Sequence, residues 1–533
     1  MANFKTNGNS DGSKIGGTRC IALVGPYSSG KTSLLEAILF RTGKIPRQGR
    51  VDDGNSVGDA SPEARANGMS IEMNAASIEF LGDTYTFIDC PGSVEFSQEA
   101  DSILCMCDAA IVVCEADEKK THALQLTLKK LDDLGLPRFI FVNKIDKTET
   151  RLREVLEFMQ PASETPLVLR QIPIWEDNIA TGFVDLALER AFVYREHAPS
   201  QVISISEVDK AREQGARFEM LEKLADFNDD LLEQLLSDIE PPRDKVFEDL
   251  SKELADGLIT PVMFGSAENG NGILRLLKAL RHEVPGIEAT CDRMALEPVE
   301  GVATAQIVKT LYTAHGGKLS VARVLSGELA EGSTICGKAD QTTRIAGLFA
   351  LHGIETSKIN KAVAGDLVAL ARLEGIETGE TVSTEKVSGG KAAVEQLHDS
   401  VVMPGVFGLA ISVADRKDEV KLTGSVAKLV EEDPSLSLNH DMGTHELVLW
   451  GQGEMHLRVA LERLSGKFGI QVQSAPRQIA YKETISKSTS LRQRYKKQSG
   501  GHGQFGDVEL EIKPLPRGSG FAFSDTITGG VVP

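Results

Sequence analysis

The stretch that decides the fold is CIALVGPYSSGKTSLLEAILF, residues 20–40. An apolar run is followed by a loop of the form GxxxxGKT and then by a helical pattern, which is the strand–loop–helix order of a phosphate-binding P-loop. Glycines at both ends let main-chain N–H groups turn inward around phosphate oxygens, at the positive end of the following helix. The alternative is a glycine-rich helix start with an exposed lysine. We therefore predict a nucleotide phosphate site formed by Gly25, Pro26, Tyr27, Ser28, Ser29, Gly30, Lys31 and Thr32.

Two side chains of this loop have predicted chemical roles. Lys31 is expected to bridge the outer phosphates, and the hydroxyl of Thr32 is expected to bind Mg²⁺. Because phosphoryl transfer depends on charge placed against the phosphates, Lys31 is also a catalytic candidate.

A second loop follows ASIEFLGDTYTFID, residues 76–89. Gly82 and Asp83 lie between two β-rich runs, which predicts a hairpin whose second strand ends at Asp89. If that strand lies beside the first one in a sheet, Asp89 can hold the Mg²⁺ shell through water, and the amide of Gly92 can sense a terminal phosphate. An aspartate before Pro-Gly is, taken alone, most often only a turn.

The loops that follow two further strands predict which base of the nucleotide is bound. The strand RFIFV leads into Asn143, Lys144 and Asp146, and one carboxylate there can accept both the N1–H and the N2 amine of guanine. Adenine lacks this pair of donors and would leave the carboxylate unpaired. The strand PVMF leads into a tight loop whose amides can reach the guanine oxygen. That loop is Gly265, Ser266 and Ala267. Four such loops in this order, each at the end of a strand, predict a guanine-nucleotide-binding domain.

Length and charge narrow the class of protein. The 533 residues predict three to five domains. The 77 Asp and Glu against 58 Lys and Arg give a net charge of −19, which excludes a simple basic nucleic-acid coat protein but allows a local basic face. The start has no apolar core of a signal peptide, and no stretch approaches the ~20 apolar residues of a membrane span. We interpret residues 1–16 as a flexible tail and expect a cytoplasmic protein that does not contact membranes.

The cysteines indicate a reducing compartment. Their number is seven, which is odd, and none forms a CxxC pair or a Cys/His cluster with zinc spacing. Cys105 and Cys107 stand among apolar residues, so we interpret them as buried thiols rather than ligands.

The middle of the chain predicts three more modules. More than a hundred residues separate Asp146 from Gly265, which is too many for a minimal nucleotide-binding domain. Within this gap, residues 207–256 hold 16 Asp and Glu against 7 Lys and Arg on a helical pattern, which a solvated helical face explains in part.

Residues 301–385 are short strands punctuated by glycine, as in a small β-barrel. Residues 401–477 follow the strand–helix–strand–strand–helix–strand order of a ferredoxin-like domain, with His456 on its second helix, predicted to be a packing residue rather than a ligand.

The last segment is basic. Residues 477–497 hold seven Lys and Arg against Glu483 alone, and the glycine-rich stretch SGGHGQFG follows at 499–506. Basic residues beside glycine and an aromatic ring suit a phosphate backbone and a base. A solvated β-hairpin is the alternative. The candidate RNA-facing residues are Lys496, Lys497, Ser499, Gly500, Gly501, His502, Gln504 and Phe505.

With these segments, and with EEDPS at 431–435 and GQGEMHL at 451–457, the chain resembles the translational GTPases, and among them the elongation factor G family, over residues 20–533. The resemblance implies a multidomain α/β protein. It places a P-loop GTPase domain at 17–290 with an acidic subdomain inserted at 158–256, a β-barrel at 298–388, a ferredoxin-like α+β domain at 400–477, and an incomplete α+β fourth domain at 478–533. Because the family continues beyond this point, we expect the chain to be a fragment.

The resemblance also implies ligands and partners. It implies GTP or GDP with Mg²⁺, and a ribosome contacted through rRNA and through the stalk protein, the latter at the acidic subdomain. It further implies tRNA and mRNA as partners of a protein that acts as a monomer. The expected metal ligands are Thr32, Ser70 and, through water, Asp89.

Three departures from the family pattern concern the chemistry. The family's histidine after Asp-x-Pro-Gly is Ser93 here, and a short neutral hydroxyl does not reach an attacking water as an imidazole does. The P-loop aspartate that helps to hold a monovalent cation is Ser28. The switch motif Arg-Gly-Ile-Thr-Ile runs from Asn67 to Ile71 and keeps a hydroxyl at Ser70 while losing the arginine. The catalytic candidates are thus Lys31, Gly92 and, with its role in question, Ser93.

These departures leave alternatives for the function. The protein is a GTPase that couples hydrolysis to the movement of tRNA and mRNA, or it is a nucleotide-gated ribosome-binding protein with little turnover. A ribosome-protection factor, which shares the layout, is a weaker third alternative.

Overall fold

The structure is a computed structural model that describes residues 17–148, 152–176, 179–195, 198–313, 317–338, 341–384, 397, 402–413 and 416–527. The predicted tail at residues 1–16 lies outside the described residues. The chain forms two compact units. One contains the described residues up to Asn439 together with Leu447–Pro476, and the other contains His440–Glu446 and the residues from Arg477 onward.

The first part of the chain alternates strands and helices. Its elements are β1 (Thr18–Val24), α1 (Lys31–Arg41), α2 (Pro62–Asn67), β2 (Asn74–Phe80), β3 (Asp83–Asp89), α3 (Gln98–Leu104), β4 (Ala109–Glu115), α4 (Thr121–Asp133), β5 (Arg138–Asn143), α5 (Leu152–Met159), β6 (Leu167–Leu169), β7 (Gln171–Glu176), β8 (Ile179–Asp185), β9 (Arg190–Arg195), β10 (Ala198–Ile203), α6 (Glu207–Ala225), α7 (Asp229–Leu236), α8 (Arg243–Ala255), β11 (Thr260–Phe264), α9 (Ile273–Glu283) and α10 (Ile287–Arg293). Short 3-10 turns lie at Val94–Phe96, Glu118–Lys120, Ile145–Lys147 and Gln160–Ala162.

The central sheet has the order β2-β3-β1-β4-β5-β11-β6. Its strands are parallel except β2, which forms with β3 the predicted antiparallel hairpin. Alternate residues of β1 belong to two different cores, with Ala22 in one and Ile21 and Leu23 in the other. Such strands are buried on both faces, as in a doubly wound α/β domain. The carboxyl ends of β1, β3, β4, β5 and β11 therefore meet at one edge of the sheet, where ligands bind in this class of fold.

The acidic segment forms helices, as predicted, and these pack on a small sheet that the sequence analysis did not predict. Strands β7 to β10 are antiparallel in the order β10-β9-β8-β7, and α6, α7 and α8 cover residues 207–255 in the predicted helical stretch. A separate core that includes Val184, Leu224 and Leu250 holds these helices on the sheet. The charged residues of the helices thus surround an apolar interior, which is the arrangement of an amphipathic helix at a surface.

The next segment is entirely β. Its strands are β12 (Thr304–Tyr312), β13 (Lys318–Ser326), β14 (Glu328–Ala330), β15 (Thr334–Cys336), β16 (Thr342–Arg344), β17 (Leu348–His352), β18 (Glu355–Ile359), β19 (Lys361–Val363), β20 (Leu367–Ala371) and β21 (Thr381–Ser383). Seven of them run in the order β16-β15-β21-β12-β13-β20-β17, and β14 pairs with β19. Between β16 and β17 the chain crosses from one edge of this order to the other, as in the predicted barrel, and Ala346 N–H donates to the carbonyl of Ala371 (3.3 Å) next to the pairing of β17 with β20.

The ferredoxin-like order is confirmed. Its elements are β22 (Phe407–Val413), α11 (Glu419–Glu432), β23 (Ser437–Asp441), β24 (Glu446–Gly451), α12 (Glu454–Gly466) and β25 (Val472–Pro476). The sheet order is β23-β24-β22-β25, and a core that includes Leu429, Leu449 and Leu457 joins the helices to it. The fold class is thus the predicted one, whereas the boundaries assigned to the individual domains stay predictions.

The second unit contains an antiparallel hairpin of β26 (Thr489–Ser499) and β27 (His502–Ile512). Gly500 and Gly501 form its turn, with φ of +58° and +90°, which residues with a side chain rarely adopt.

All seven cysteines are free and buried, which confirms the interpretation of Cys105 and Cys107. Among the helices that the structure describes, none is both long and apolar enough to span a membrane.

Candidate functional site

A cavity of about 700 Å³ opens at the sheet edge where the predicted loops meet. Its lining comes from the loop after β1 with the adjoining helix α1, the segment between α1 and α2, residues 68–70 after α2, Gly92 after β3, and the loops that follow β5 and β11. The loop residues that line it include Gly30, Lys31, Thr32, Asn143 and Lys144. The structure therefore brings the predicted phosphate loop and the predicted base loops to one cavity.

The phosphate loop is held from inside by its own lysine. The Nζ atom of Lys31 donates to the carbonyls of Gly25 (3.1 Å) and Pro26 (3.0 Å), so the ammonium group lies within the curve of the loop. Burial lowers the pKa of Lys31, and the charge of Asp89 opposes that shift. Gly30 is left-handed (φ +94°) and stands directly before α1, so the first N–H groups of this helix face the loop. The loop thus presents a cation and helix-end donors to an anion.

The three predicted metal ligands lie together. Thr32 Oγ1 donates to Asp89 Oδ2 (2.7 Å) and lies 3.2 Å from Ser70 Oγ. Asp89 is fully buried, and its Oδ1 has no hydrogen-bond partner within the described part of the chain. Burial and the charge of Asp59 raise the pKa of Asp89 to about 7. Two hydroxyls and an unpartnered carboxylate oxygen are the hard oxygen donors that Mg²⁺ prefers, so these residues fit the ion.

Asp59 is a residue of this site that the sequence analysis missed. It lines the cavity, only 3% of it is exposed, and neither carboxylate oxygen has a hydrogen-bond partner among the described residues. Burial raises the pKa of Asp59, and the hydroxyls of Ser70 and Thr32 oppose this shift without forming a hydrogen bond to it. In the sequence, an aspartate between a glycine and a small residue reads as a turn, and no signal distinguished it.

The side chain of Asn143 joins the phosphate loop to the base loop. Its Nδ2 donates to the carbonyl of Ser29 (2.9 Å), and its Oδ1 accepts from the N–H of Ala267 (2.9 Å). Ser266 pairs with Asn271 across the base of the same loop, and Gly265 N–H donates to the carbonyl of Val142 (3.0 Å). The loop after β11 is therefore fixed to the end of β5.

The two charged residues of the base motif differ in their surroundings. Lys144 is left-handed (φ +60°), and its Nζ donates to the carbonyl of Ser28 (3.0 Å) and to Glu115 (2.6 Å). Asp146 keeps a buried Oδ1 that has no hydrogen-bond partner in the part of the chain described here. A buried acceptor without a donor is costly, and the paired N–H donors of guanine would satisfy it.

Gly92 and Ser93 stand at the other side of the phosphate loop. A Cβ atom on Gly92 would lie 2.2 Å from Lys31 Nζ and 3.0 Å from the carbonyl of Gly25, so only glycine fits between this loop and the lysine. Ser93 has an extended conformation (φ −83°, ψ 138°) and begins the turn in which the next side chain, Val94, is 75% exposed. The predicted catalytic residues Lys31, Gly92 and Ser93 are thus neighbours, while the role of Ser93 stays a prediction.

The loops that flank the phosphate site contact the ferredoxin-like domain. Glu95 accepts a hydrogen bond from the N–H of His456 in the first turn of α12 (2.8 Å), and Arg463 of the same helix pairs with Glu72 (2.8 Å). A small core formed by Ala64, Ile71, Phe96 and Val459 lies beside these contacts. Both loops are thereby packed on one helix.

His456 is the packing residue that its position predicts. Its Nε2 lies 2.7 Å from Asp433, its Nδ1 accepts from the N–H of Gln452 (3.0 Å), and its ring meets Phe96 edge-on at 5.5 Å. Burial alone raises the pKa of Asp433, but the hydrogen bond and charge of His456, with Ser435, outweigh it and lower that pKa to about 2. The imidazole is fully engaged by its neighbours.

In the second unit, the candidate RNA-facing residues gather at the end of the hairpin. Lys496 stands opposite Phe505 and Lys497 opposite Gln504, next to the glycine turn. Farther from the turn, Arg492 and Arg494 both bind Asp507, at 2.9 Å. Two of the seven basic residues counted in this segment are therefore neutralised within the hairpin, while the two lysines place their positive charge at its tip.

Comparison with known proteins identifies the family. Residues 17–286 match the Elongation factor Tu GTP binding domain, 302–385 match Elongation factor G domain 2, 402–476 match Elongation Factor G, domain III, and 477–533 match Elongation factor G, domain IV. The chain is 44% identical over 516 residues to an elongation factor G-like protein of Synechocystis sp., covering 97% of this chain and 75% of that protein.

More distant relatives agree. Elongation factor G of Thermotoga maritima is 30% identical over 538 residues, covering 97% of this chain and 76% of that protein. A crystal structure of a protein from Thermus thermophilus has a TM-score of 0.82 at 29% identity and covers 93% of this chain and 73% of that one. Because the identity extends over nearly the whole chain and three of the four matched segments are elongation factor G domains, the chain belongs to the elongation factor G family of GTP-binding translation factors.

Proposed function

We propose that this protein binds GTP and GDP together with Mg²⁺, hydrolyses GTP, and acts as a monomer on the ribosome in the cytoplasm. There it couples its nucleotide state to the movement of tRNA and mRNA. The observation that carries this proposal is the bond pattern of Asn143, which fixes the phosphate loop and the base loop to each other at 2.9 Å on each side. Two loops that are distant in sequence are thus held at one cavity, ready to bind both ends of a guanine nucleotide.

The chain's own residues divide the work of binding. Main-chain N–H groups at the start of α1 and the ammonium of Lys31 oppose the phosphate charge, and Asp146 accepts from the base. Thr32, Ser70 and Asp89 would hold Mg²⁺, which supplies charge neutralisation at the outer phosphates. Gly92 lies against the lysine that senses those phosphates, so its main chain is placed to respond to their presence.

A second candidate function is a nucleotide-gated ribosome-binding protein with little turnover. Ser93 favours it, because a serine hydroxyl is shorter than the family's imidazole and remains neutral. Ser28 favours it as well, since it offers no charge to a monovalent cation beside the phosphates. Loss of a water-positioning group costs orders of magnitude in rate, while nucleotide affinity depends on groups that this chain retains.

Contacts with RNA and protein belong to the same proposal. The hairpin tip with Lys496, Lys497 and Phe505 offers cations and one ring to an RNA backbone and base. The acidic helices of the inserted subdomain offer a surface to a ribosomal stalk protein. We further propose that the four domains comprise residues 17–290, 298–388, 400–477 and 478–533. A ribosome-protection activity is the weaker alternative, which a test of drug protection addresses.

The test is a multiple-turnover GTPase assay with and without 70S ribosomes. A true translocase is stimulated many-fold by ribosomes, and such stimulation here would rule out the second candidate. Ribosome binding that depends on a GTP analogue, without stimulated turnover, would support the second candidate instead.

One variant separates the chemistry from the binding. Ser93→His restores an imidazole beside Gly92 and is expected to raise ribosome-stimulated turnover by about 10²-fold. Val94→His is the matched control, because it places the same ring on the adjacent exposed position and is expected to change nothing. If Ser93→His binds nucleotide normally and gains no rate, our account of the Ser93 position is wrong.

A further inference from the structure

One segment of the nucleotide cavity has not been assigned a role. Residues 47–59, here called the strap, connect α1 to α2 and form a continuous part of the cavity wall from Arg47 to Asp52, with Asp59 as a further lining residue. The strap and the phosphate and base loops line the same cavity. A nucleotide bound between those loops would therefore lie against the strap.

The root of the strap is tied to α1 by one buried carboxylate. Glu36 is 1% exposed, and its two oxygens accept from the N–H of Gly49 (3.0 Å) and the N–H of Val57 (2.6 Å). These two main-chain groups lie eight residues apart, so a single side chain closes the loop between them. A Cβ atom on Gly49 would lie 2.6 Å from Glu36 Oε2, which shows how closely the main chain approaches the carboxylate.

The far side of the strap is fastened to the base loop. Gln48 Nε2 donates to the carbonyl of Ala267 (2.9 Å). Arg50 and Lys147 both bind Glu268, at 3.1 Å and 2.8 Å. The strap thus crosses from the helix that follows the phosphate loop to the loop that faces the base.

These fastenings differ in strength. The side chains of Arg50, Glu268 and Lys147 are 56%, 45% and 61% exposed, and ion pairs of this kind contribute little in water. The two bonds of Glu36 are shielded from water, and a buried carboxyl group is costly to leave without donors. We therefore expect Glu36 to contribute more to holding the strap in place than these exposed ion pairs.

We propose that Glu36 is a positioning residue that keeps the strap closed over a bound guanine nucleotide and thereby sets the rate of nucleotide release. This rests on nucleotide binding at the cavity, as proposed above. Release requires the strap to lift, and lifting breaks both bonds of Glu36 and leaves a buried carboxylate without donors. Neither the predicted ligands nor the family motifs include this residue.

The experiment measures dissociation of a fluorescent GDP analogue by stopped flow. Glu36→Gln keeps the size of the side chain but has one acceptor oxygen and turns an amide group toward a main-chain N–H. Release is expected to be about tenfold faster, which corresponds to about 1.4 kcal/mol. Gln48→Ala removes the weaker fastening at the opposite side and is expected to speed release by about threefold. Glu79→Gln, an exposed glutamate on β2, is the matched control.

Limited digestion with trypsin gives an independent readout. Arg47 and Arg50 lie in the strap, and cleavage after them requires the strap to leave the cavity wall. With GDP bound, Glu36→Gln is expected to be cut there faster than the wild type, at an unchanged melting temperature.

Release at the wild-type rate in Glu36→Gln would overturn the proposal, as would a loss of affinity caused only by slower association. If Glu36→Gln fails to fold, release at the wild-type rate in Gln48→Ala would overturn it, because the role of Glu36 requires that lifting of the strap limits release. A wild type that binds no guanine nucleotide refutes the proposed function instead, and the strap proposal with it.

Discussion

Replacing Asn143 by alanine tests whether one amide joins the phosphate loop to the base loop. The change removes two buried hydrogen bonds of 2.9 Å each. It leaves the carbonyl of Ser29 and the N–H of Ala267 without hydrogen-bond partners. Each stranded group costs about 1–3 kcal/mol, so the assembled site loses about 2–6 kcal/mol. Without nucleotide, the two loops can relax separately and recover part of this cost. With nucleotide bound, both loops must be in place at once.

The loss of nucleotide affinity therefore equals the part of this cost that the nucleotide-free protein recovers by relaxing but the nucleotide-bound protein does not. If about 2 kcal/mol remains, the Kd for GDP rises by about 30-fold. Titration of wild type and Asn143→Ala with GDP, by calorimetry, measures this directly. Thermal unfolding of the nucleotide-free proteins measures the part of the cost that is present both with and without nucleotide.

Asn228→Ala is the matched control. Asn228 also accepts two main-chain N–H groups, those of Asp230 and Leu231, at the start of α7 and away from the cavity. It is expected to lower the melting temperature while leaving the Kd unchanged. A Kd for Asn143→Ala within threefold of the wild type would refute the reasoning, because the amide would then not couple the two loops.

Three further changes follow from the same contacts. Gly92→Ala places a Cβ atom 2.2 Å from Lys31 Nζ, so GTP affinity should fall at least about tenfold in a titration, and unchanged affinity would contradict the packing described. Arg323→Met leaves the fully buried Asp108 without its cation, which costs about 3–5 kcal/mol, seen as loss of hydrogen-exchange protection in β1 and β13. Asp433→Asn should be less stable than the wild type above the unfolded pKa of about 3.8, because its folded pKa is lowered to about 2. That difference in melting temperature should vanish as the pH falls from 4 to 2, and a constant difference would refute it.

The motifs were predictable because each is a contiguous run with its own chemistry. The residues from Gly25 to Thr32 carry the phosphate loop within eight positions, and the unbroken apolar run before it predicts a strand that is buried on both faces. The order of strands and helices in the ferredoxin-like domain followed from period and length alone. The candidate metal ligands Thr32, Ser70 and Asp89 were predicted from three such runs, and the structure brings them together.

Other residues of the site were not predictable in this way. Asp59 and Glu36 belong to no motif. In the sequence, Asp59 resembles a turn residue and Glu36 resembles an ordinary helix residue. The basic segment 477–497, which includes most of the first hairpin strand, was predicted from composition. Asp507, which neutralises two of its arginines, lies on the second strand, outside the counted stretch. Composition counts charges without showing which of them pair.

The sequence by itself thus determined the class of fold, and it predicted a guanine nucleotide as ligand and the loops that would bind it. The information in these motifs is local, because a loop of eight residues or an amphipathic run of ten predicts the same structure wherever it stands in the chain. Only the tertiary structure decided which distant groups meet, such as Glu36 with the strap and Asn143 with Ala267. The path of a loop between two helices depends on packing and on a few buried hydrogen bonds, and neither leaves a period or a spacing in the sequence.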